Sequence, residues 1–191
     1  PDQRYRKTVT TLSGDEGIHS TTADGLKKLK PVKEGGTVTY GAQTHPADGN
    51  AGMIITTADL ARELAPTGSP TITLHGFGQA RVEMAWMPSA PVPAAKRALH
   101  SAGVNIKDIA AVKSHNPFAV NDVVFARELG VDVMTMNNYG CSLIWGHPQG
   151  PTGMRAVIEL IEELVLKGGG WGLFQGCAAG DSAMSVVLKV E

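Results

Sequence analysis

The segment from Thr71 to Glu191 alternates between two hydrophobic patterns, and this alternation limits the possible folds more than any other feature of the sequence. Runs such as "TITLHGFGQA" and "SAMSVVLKV" are rich in apolar and β-branched residues, as buried strands are. Between such runs, apolar residues recur at spacings of three and four, most regularly after Pro151, which is the pattern of a helix with one buried face. Strands that alternate with helices predict an α/β fold in which helices cover a buried sheet.

Proline and glycine mark the ends of these elements. Pro91 or Pro93 can open a helix that Gly103 closes, and Gly130 can end a second helix that begins near Phe118. A third helix is predicted from about Thr152 to the sequence "KGGG". The predicted strands are "TITLHGFGQA", "IAAVKS", "VDVMTM" (131–136), "WGLFQG" and "SAMSVVLKV", the last two joined by the turn "CAAGD".

The N-terminal third has a different character. Residues 1–35 are polar, with one short helical pattern around Ala23–Leu29, and we interpret them as a peripheral arm. From Gly36, "GTVTYGAQ" predicts a strand, and after a turn-rich loop Thr57 can cap a short helix. The sequence "PTGSP" (66–70) is the best candidate for a linker.

The charge and the cysteine content narrow the function. A formal net charge of -1, from 17 basic and 18 acidic residues, gives no electrostatic basis for binding nucleic acid or an anionic membrane. No apolar run has membrane-spanning length, and the polar start "PDQRYRKTVTTL" is unlike a secretory signal. Two cysteines do not make a disulfide framework, so we expect a reducing, cytoplasmic location and a small-molecule partner.

Three chemically reactive side chains follow predicted strands. His115 and Cys177 lie at the ends of two strands, and His147 precedes the helix that begins near Thr152. Sites in open α/β sheets form beyond the carboxyl ends of strands, so these residues can converge. A helix N-terminus disfavours imidazolium, which suits a neutral base beside a thiol. Taken singly, each also fits a plain role: a surface histidine, a chance Gly-His-Pro, or a buried cysteine that packs as a small hydrophobe.

A metal site is an alternative use of the same residues. Cys141, His147 and Cys177 are all potential ligands, but their spacing matches none of the common zinc patterns. We therefore predict no metal.

Several motifs together resemble the thiolase family, which makes or cleaves 3-ketoacyl-CoA thioesters. "GHPQGPTG" resembles the family's Gly-His-Pro loop and the helix start that follows it, and "QGCAAGDSAMSVVLKVE" resembles its Cys-x-Gly turn and last strand. "APVPAAKRALHSAGVNIKDIAAVKSHNPF" is similar to a Pro-Val-Pro-Ala helix followed by the Asn-Glu-Ala-Phe loop. "GTVTYGAQTHPADGNAG" is similar to a strand and turn near the end of the N-terminal domain, so the resemblance covers about residues 15–191.

This resemblance implies a layered αβαβα thiolase fold. The chain would supply its C-terminal βαβαβαββ half (69–191), the last strand and helix of the N-terminal domain (36–68) and a tail of the loop domain (1–35). The His115-Asn116-Pro117-Phe118 loop resembles that of the sterol-carrier-protein type of thiolase, which has His-Asp there.

The resemblance also implies a role for each site residue. His147 would be the base that activates a nucleophilic cysteine, and Cys177 the acid/base at the substrate α-carbon. His115 would hold a water in the first oxyanion hole together with His147, and the Ala179 N–H would contribute to the second. Thr44 stands where relatives contact coenzyme A with a serine. Cys141 replaces a loop glycine, and we interpret it as a packing residue.

One expected residue has no counterpart. Thiolases carry the nucleophilic cysteine in the N-terminal half, and neither Cys141 nor Cys177 occupies that position. We therefore expect a partner, an N-terminal thiolase half with the nucleophile, in a dimer or tetramer of complete units, with acetyl-CoA and acyl-CoA as substrates and no further cofactor. A non-catalytic acyl-CoA-binding or scaffold subunit is the alternative. A ketoacyl synthase relative would have a second histidine in place of Cys177.

Overall fold

The computed structural model describes residues 10–191, and its centre is one mixed four-stranded sheet. The strands are β1 (Ile72–Arg81), β2 (Ile109–His115), β3 (Gly170–Ala178) and β4 (Ser182–Val190), in the order β1-β4-β3-β2. The pairs β1/β4 and β3/β4 are antiparallel, whereas β2 and β3 run parallel. The carboxyl ends of β2 and β3 therefore lie at the same edge of the sheet.

Helices cover both faces of this sheet. The helices of the described residues are α1 (Ala23–Lys27), α2 (Ala58–Leu64), α3 (Pro91–Ala102), α4 (Ala119–Leu129), α5 (Ser142–Trp145) and α6 (Thr152–Leu166), and those that pack on the sheet are α3 and α6. α3 packs mainly on β1 and β4, with α4 beside it, and α6 packs on β2 and β3. Within the described residues, no helix is both long and apolar enough to cross a bilayer.

The alternation of side chains along the strands produces two cores. Leu173 and Val187 pack with α3 and α4 on one face, whereas Phe174 and Leu188 pack with α6 on the other. All four side chains are buried. Because neighbours in a strand point to opposite faces, the apolar runs "GLF" and "VVL" fill both layers at once.

Glycines let α3 lie close against β1. A Cβ at Gly78 would come within 2.2 Å of the Ala94 carbonyl oxygen, and one at Gly76 within 2.5 Å of the Ala98 oxygen. The "HGFG" motif is therefore needed for packing, because any side chain at these positions would push the helix away.

Most predicted elements of 71–191 form as expected, including the glycine stops. Gly103 and Gly130 both adopt left-handed backbone, with φ of 70° at each, and end α3 and α4. The terminal hairpin and the helix from Thr152 are also present. The short helix α5 was not predicted.

The strand predicted over 131–136 is wrong. A 3-10 turn over Val133–Thr135 takes its place, because the Asp132 carboxylate accepts the Met134 N–H at 2.9 Å and so favours a turn. In place of strand pairing, one backbone hydrogen bond joins the end of this segment to β2, from the Asn137 N–H to the Val112 carbonyl at 3.0 Å. The structure thus has one strand fewer than the predicted βαβαβαββ order.

The strand predicted from Gly36 is also wrong. Among the described residues, this segment makes only isolated bridges, Pro31 with Thr39 and Gln43 with Phe118, around a 3-10 turn at Tyr40–Ala42. A strand needs a neighbour for its backbone groups, and the sheet offers this segment none. The predicted helix does form as α2, with Thr57 at its N-cap, although the Thr57 side chain makes no capping bond. The first nine residues of the proposed arm lie outside the described part of the chain.

Candidate active site

His115, His147 and Cys177 line one cavity of about 1210 Å³ at the edge where β2 and β3 end. His115 is the last residue of β2, and it pairs with Gly176 of β3. Cys177 is the residue after Gly176 in the same strand. A Cβ at Gly176 would lie 3.2 Å from the His115 Cβ and 3.0 Å from the Phe174 ring. The glycine therefore leaves room for the imidazole beside β3.

The two histidine rings are in contact. Their centroids are 4.4 Å apart, and the ring planes are inclined by 40°. Burial, followed by the neighbouring His147 and Arg155, lowers the pKa of His115 to about 4. His115 is therefore neutral at physiological pH, which removes the charge repulsion that such a close pair would otherwise suffer.

The loop before α6 holds His147. Its Nδ1 atom accepts the Gln149 backbone N–H at 3.3 Å and lies 2.9 Å from the Thr152 hydroxyl. Because a backbone N–H can only donate, Nδ1 is unprotonated and the ring proton lies on Nε2. Burial, with a smaller contribution from Arg155, lowers the pKa of His147, so this imidazole is neutral too.

Cys177 is a buried thiol in contact with a buried amide. Its Sγ accepts a hydrogen bond from Asn121 Nδ2 at 3.2 Å. Burial raises the pKa of the Cys177 thiol; the Asn121 hydrogen bond opposes this rise, and the nearby Asp122 carboxylate adds to it. The group is thus a thiol at neutral pH, protonated and shielded from solvent.

Ala179 begins the turn that follows Cys177 and also lines the cavity. Its φ is negative, whereas Gly180 and Asp181 take the positive values of the turn, 80° and 57°. The backbone at Ala179 is therefore allowed for a residue with a side chain, so alanine fits at the position that is glycine in the Cys-x-Gly turn.

The segment at Thr44 connects the two histidine loops. The Thr44 N–H donates to the Pro117 carbonyl at 2.8 Å, and the His147 N–H donates to the His45 carbonyl at the same distance. Thr44 lines the cavity, and its hydroxyl donates to the Ser142 carbonyl. Thr44 therefore positions the loops around the cavity, whatever further contact it makes with a ligand.

A buried carboxylate beneath the site was missed in the sequence. Asp122 of α4 accepts hydrogen bonds from Ser114 Oγ (2.5 Å), Asn116 Nδ2 (2.6 Å) and Asn137 Nδ2 (3.1 Å). Burial raises the pKa of Asp122, and these three donors oppose the rise. Polar residues inside the apolar strand run "AVKSHN" were the available signal, because a buried strand carries such residues only with partners.

Cys141 lies outside this constellation. It is a free, buried thiol at the N-cap of α5 and does not line the cavity. In the part of the chain that the structure describes, no three His, Cys, Asp or Glu side chains are grouped as metal ligands.

The comparisons with known proteins concern the family and the fold of the chain. Residues 69–190 match the family model described as "Thiolase, C-terminal domain". The chain belongs to the thiolase family. The predicted resemblance to the thiolase family is thereby confirmed, and so is the fold: a mixed α/β sheet that corresponds to the C-terminal half of a thiolase. The resemblance of the His115–Phe118 loop to the sterol-carrier-protein type stays a prediction.

Among thiolases with curated descriptions, the chain is 32% identical over 188 residues to human mitochondrial 3-ketoacyl-CoA thiolase, covering 97% of this chain and 47% of the relative. It is 34% identical over 182 residues to an acetyl-CoA acetyltransferase of Chromobacterium violaceum, covering 94% and 45%. The chain thus spans about half the length of the curated relatives it matches.

Solved thiolase structures superpose well on the chain. The acetyl-CoA acetyltransferase of Bacillus anthracis gives a TM-score of 0.82 at 28% identity, covering 89% of this chain and 43% of that one. Human mitochondrial 3-ketoacyl-CoA thiolase in complex with CoA gives 0.80 at 28% identity, covering 95% and 46%.

Proposed function

We propose that this thiolase-family chain is the base-supplying part of an acyltransferase that condenses or cleaves 3-ketoacyl-CoA thioesters. The observation that carries the proposal is the meeting of His115, His147 and Cys177 in one cavity, with both imidazoles neutral and the thiol protonated. Coenzyme A thioesters would be substrates, and we propose no further cofactor and no metal.

The reaction needs a base for a nucleophilic thiol, and His147 suits that task. In the acyl-transfer step, His147 takes the proton from the nucleophilic cysteine, the thiolate attacks the thioester carbon, and the departing CoA thiolate takes the proton back. The fixed Nδ1 acceptor contacts hold the His147 ring in one orientation. Its Nε2–H can therefore donate to the thioester oxygen without rotation of the ring. To take the nucleophile's proton at Nε2, the imidazole must carry its own proton on Nδ1, where the Thr152 hydroxyl oxygen, 2.9 Å away, can accept it.

The second step needs an acid/base at the α-carbon, and Cys177 suits it. Cys177 would first give its thiol proton to water in the cavity. The thiolate would then remove a proton from the methyl carbon of acetyl-CoA, and the carbanion would attack the acyl group on the nucleophile. That attack expels the nucleophile as its thiolate. In cleavage the same atoms move in reverse, and the Cys177 thiol gives its proton to the departing carbanion. A thiol with a raised pKa suits both directions, because carbon acids are weak.

Oxygen atoms that become negative in these steps need hydrogen-bond donors. His115 and His147 lie 4.4 Å apart by ring centroid, which allows both to approach one oxygen or a water beside it. For the second oxyanion hole we propose the Ala179 N–H. Thr44 remains a candidate contact for coenzyme A.

The nucleophile is proposed to lie on an N-terminal half that packs against this chain. α6 covers β2, β3 and the end of β4 around Leu188, but within the described residues it leaves the same face of β1 and of the start of β4 open. On this open strip the side chain of Phe77 is 65% exposed and that of Met184 is 42% exposed. Contiguous exposed apolar side chains mark contact surfaces. The open strip lies beside the cavity, which Met184 also lines. A second half that packs on this strip could therefore bring its nucleophile into the cavity.

On this proposal residues 69–191 act as the C-terminal domain, 36–68 as the end of the N-terminal domain and 1–35 as a loop-domain tail. We further propose a dimer or tetramer of complete units in the cytoplasm. A non-catalytic acyl-CoA-binding or scaffold subunit is the alternative. Retention of both His147 and Cys177 favours the enzyme, because a binding module needs neither.

Denaturing intact mass spectrometry of the native sample, before and after incubation with acetoacetyl-CoA, tests the proposal. The expected result is a second polypeptide of comparable mass that gains one acetyl group, while this chain gains none. A single chain that gains nothing would overturn the enzyme assignment in favour of the non-catalytic subunit.

A further inference from the structure

Ser142 is a buried hydroxyl between His115 and a guanidinium. The residue is 1% exposed, its Oγ lies 3.1 Å from His115 Nδ1, and Arg155 Nη2 donates to the same oxygen at 3.3 Å. Guanidinium nitrogens can only donate, so the Ser142 oxygen accepts this bond. The hydroxyl proton is then left to find an acceptor in a buried place, and His115 Nδ1 is within reach.

Arg155 is itself held in place by ionic and backbone contacts. Its Nη1 donates to the Gly146 carbonyl at 3.2 Å, and its Nε lies 3.3 Å from a carboxylate oxygen of Glu159, one turn further along α6. The other Glu159 oxygen lies 2.6 Å from the ammonium of Lys113, whose side chain is fully buried in β2. A chain of charges therefore runs from the middle of β2 through α6 and back to Ser142. These contacts fix the position of the guanidinium that donates to the Ser142 hydroxyl oxygen.

We propose that Ser142 and Arg155 are positioning residues that hold His115 in the tautomer with its proton on Nε2. Nδ1 is then always an acceptor, and His115 presents an N–H to the cavity. The catalytic meaning of this arrangement rests on the proposed function, because an N–H donor stabilises a thioester oxygen or its bound water, whereas a bare nitrogen would repel that oxygen.

The same rule holds for both imidazoles of the site. His147 carries its proton on Nε2 because the Gln149 N–H occupies Nδ1. With His115 in the matching tautomer, two neutral N–H donors face one cavity. The site therefore selects a ligand atom that accepts two hydrogen bonds and carries no hydrogen of its own, such as a carbonyl oxygen or an oxyanion. A hydroxyl at that position would be less favourable, because two accepted bonds use both of its lone pairs and its proton then needs a further acceptor.

Nitrogen-15 NMR of the intact protein, labelled in histidine and free of substrate, measures the tautomer directly. Long-range correlations between ring protons and ring nitrogens distinguish a protonated from an unprotonated Nδ1, and a His115→Gln variant assigns the His115 signals. The expected spectrum of the unsubstituted protein at pH 7.5 shows His115 with a protonated Nε2 and an unprotonated Nδ1. A protonated Nδ1 would overturn the proposal.

Substitutions then test the cause. Ser142→Ala should shift both His115 nitrogen signals towards the averaged values of a tautomer mixture, and Ser142→Thr, which keeps the hydroxyl, should restore them. Ser185→Ala is a matched control, because Ser185 is also fully buried and its hydroxyl has no hydrogen-bond partner among residues 10–191. It should leave the His115 signals in place. Unchanged His115 signals in Ser142→Ala would refute the role.

Arg155→Met provides a second route if Ser142→Ala fails to give a dispersed spectrum. Without the guanidinium, the positive charge that disfavours a second N–H donor at the Ser142 oxygen is gone, so the Nδ1-protonated form of His115 should appear. If the unsubstituted pattern persists in Arg155→Met, the assignment to Arg155 is wrong. None of these readings depends on acyl transfer, so failure of the tautomer proposal is distinct from failure of the proposed function.

Discussion

The side-chain amide of Asn121 donates a hydrogen bond to the Cys177 Sγ across 3.2 Å, and both residues are buried. Asn121 lies on α4 and Cys177 on β3, so the bond joins elements 56 positions apart in sequence. A thiolate is a much stronger acceptor than a thiol. The bond therefore favours the ionised form and offsets part of the burial that raises the pKa of Cys177.

Replacing Asn121 with leucine, which has a similar volume but no donor, should raise the pKa of the Cys177 thiol further. The rate of iodoacetamide alkylation at Cys177, followed by peptide mass spectrometry as a function of pH, should rise at a higher pH in the variant than in the parent. Alkylation of Cys141 in the same sample is the internal control and should keep its profile. An unchanged Cys177 profile would show that Asn121 has only a packing role.

The sequence could predict the scaffold of this site but not its hydrogen bonds. Gly103 and Gly130 end their helices through local backbone conformation, so both boundaries are visible in a short window. The contacts of Asn121, Ser142 and Arg155 join segments distant in sequence, and a one-dimensional pattern gives no sign of them. Conversely, the strand expected over 131–136 has suitable propensity, but Asp132 offers the backbone a local turn that competes with pairing.

The second prediction separates the two chemical steps through Cys177. Cys177→Ala, assayed with the N-terminal half, should lower the rate of carbon–carbon bond formation by about 10²–10⁴-fold, the usual contribution of a positioned acid/base. Acetylation of the nucleophile should remain detectable by intact mass. Cys141→Ala is the matched control, because it removes the other buried thiol outside the cavity. Condensation at the parent rate in Cys177→Ala would exclude this residue as the acid/base.

His147→Ala should behave differently, because the base is needed before any acyl group is transferred. Both the acetylation of the nucleophile and the condensation should fall, again by roughly 10²–10⁴-fold. His100→Ala is a suitable control, because His100 is an exposed residue in the last turn of α3. Stopped-flow detection of CoA release measures the first step. A normal burst of CoA in His147→Ala would contradict its role as the base.

The neutral state of His115 should make the fold sensitive to acid. Its pKa lies near 4 in the folded protein, against 6.5 for the free side chain, so the unfolded chain binds more protons between these values. Stability is therefore fully present above about pH 6.5 and falls as the pH is lowered towards 4, by on the order of 3 kcal/mol from this group. Urea unfolding at pH 7 and pH 4.5 should show a smaller loss in His115→Gln than in the parent. An equal loss in both proteins would contradict this assignment.

The open strip of the sheet gives the last prediction. Phe77→Asp places a carboxylate where the aromatic ring is 65% exposed, so the fold of this chain should be unaffected while a partner that buries the ring should be rejected. We expect the affinity for the N-terminal half to fall by at least roughly 30-fold, as for a buried aromatic anchor. Val123→Asp is the control, because Val123 is 55% exposed on α4, on the other side of the sheet. Isothermal titration or co-purification of the two halves measures the effect. Equal binding by the two variants would place the partner elsewhere on this chain, because a charge cannot be buried in an apolar interface without cost.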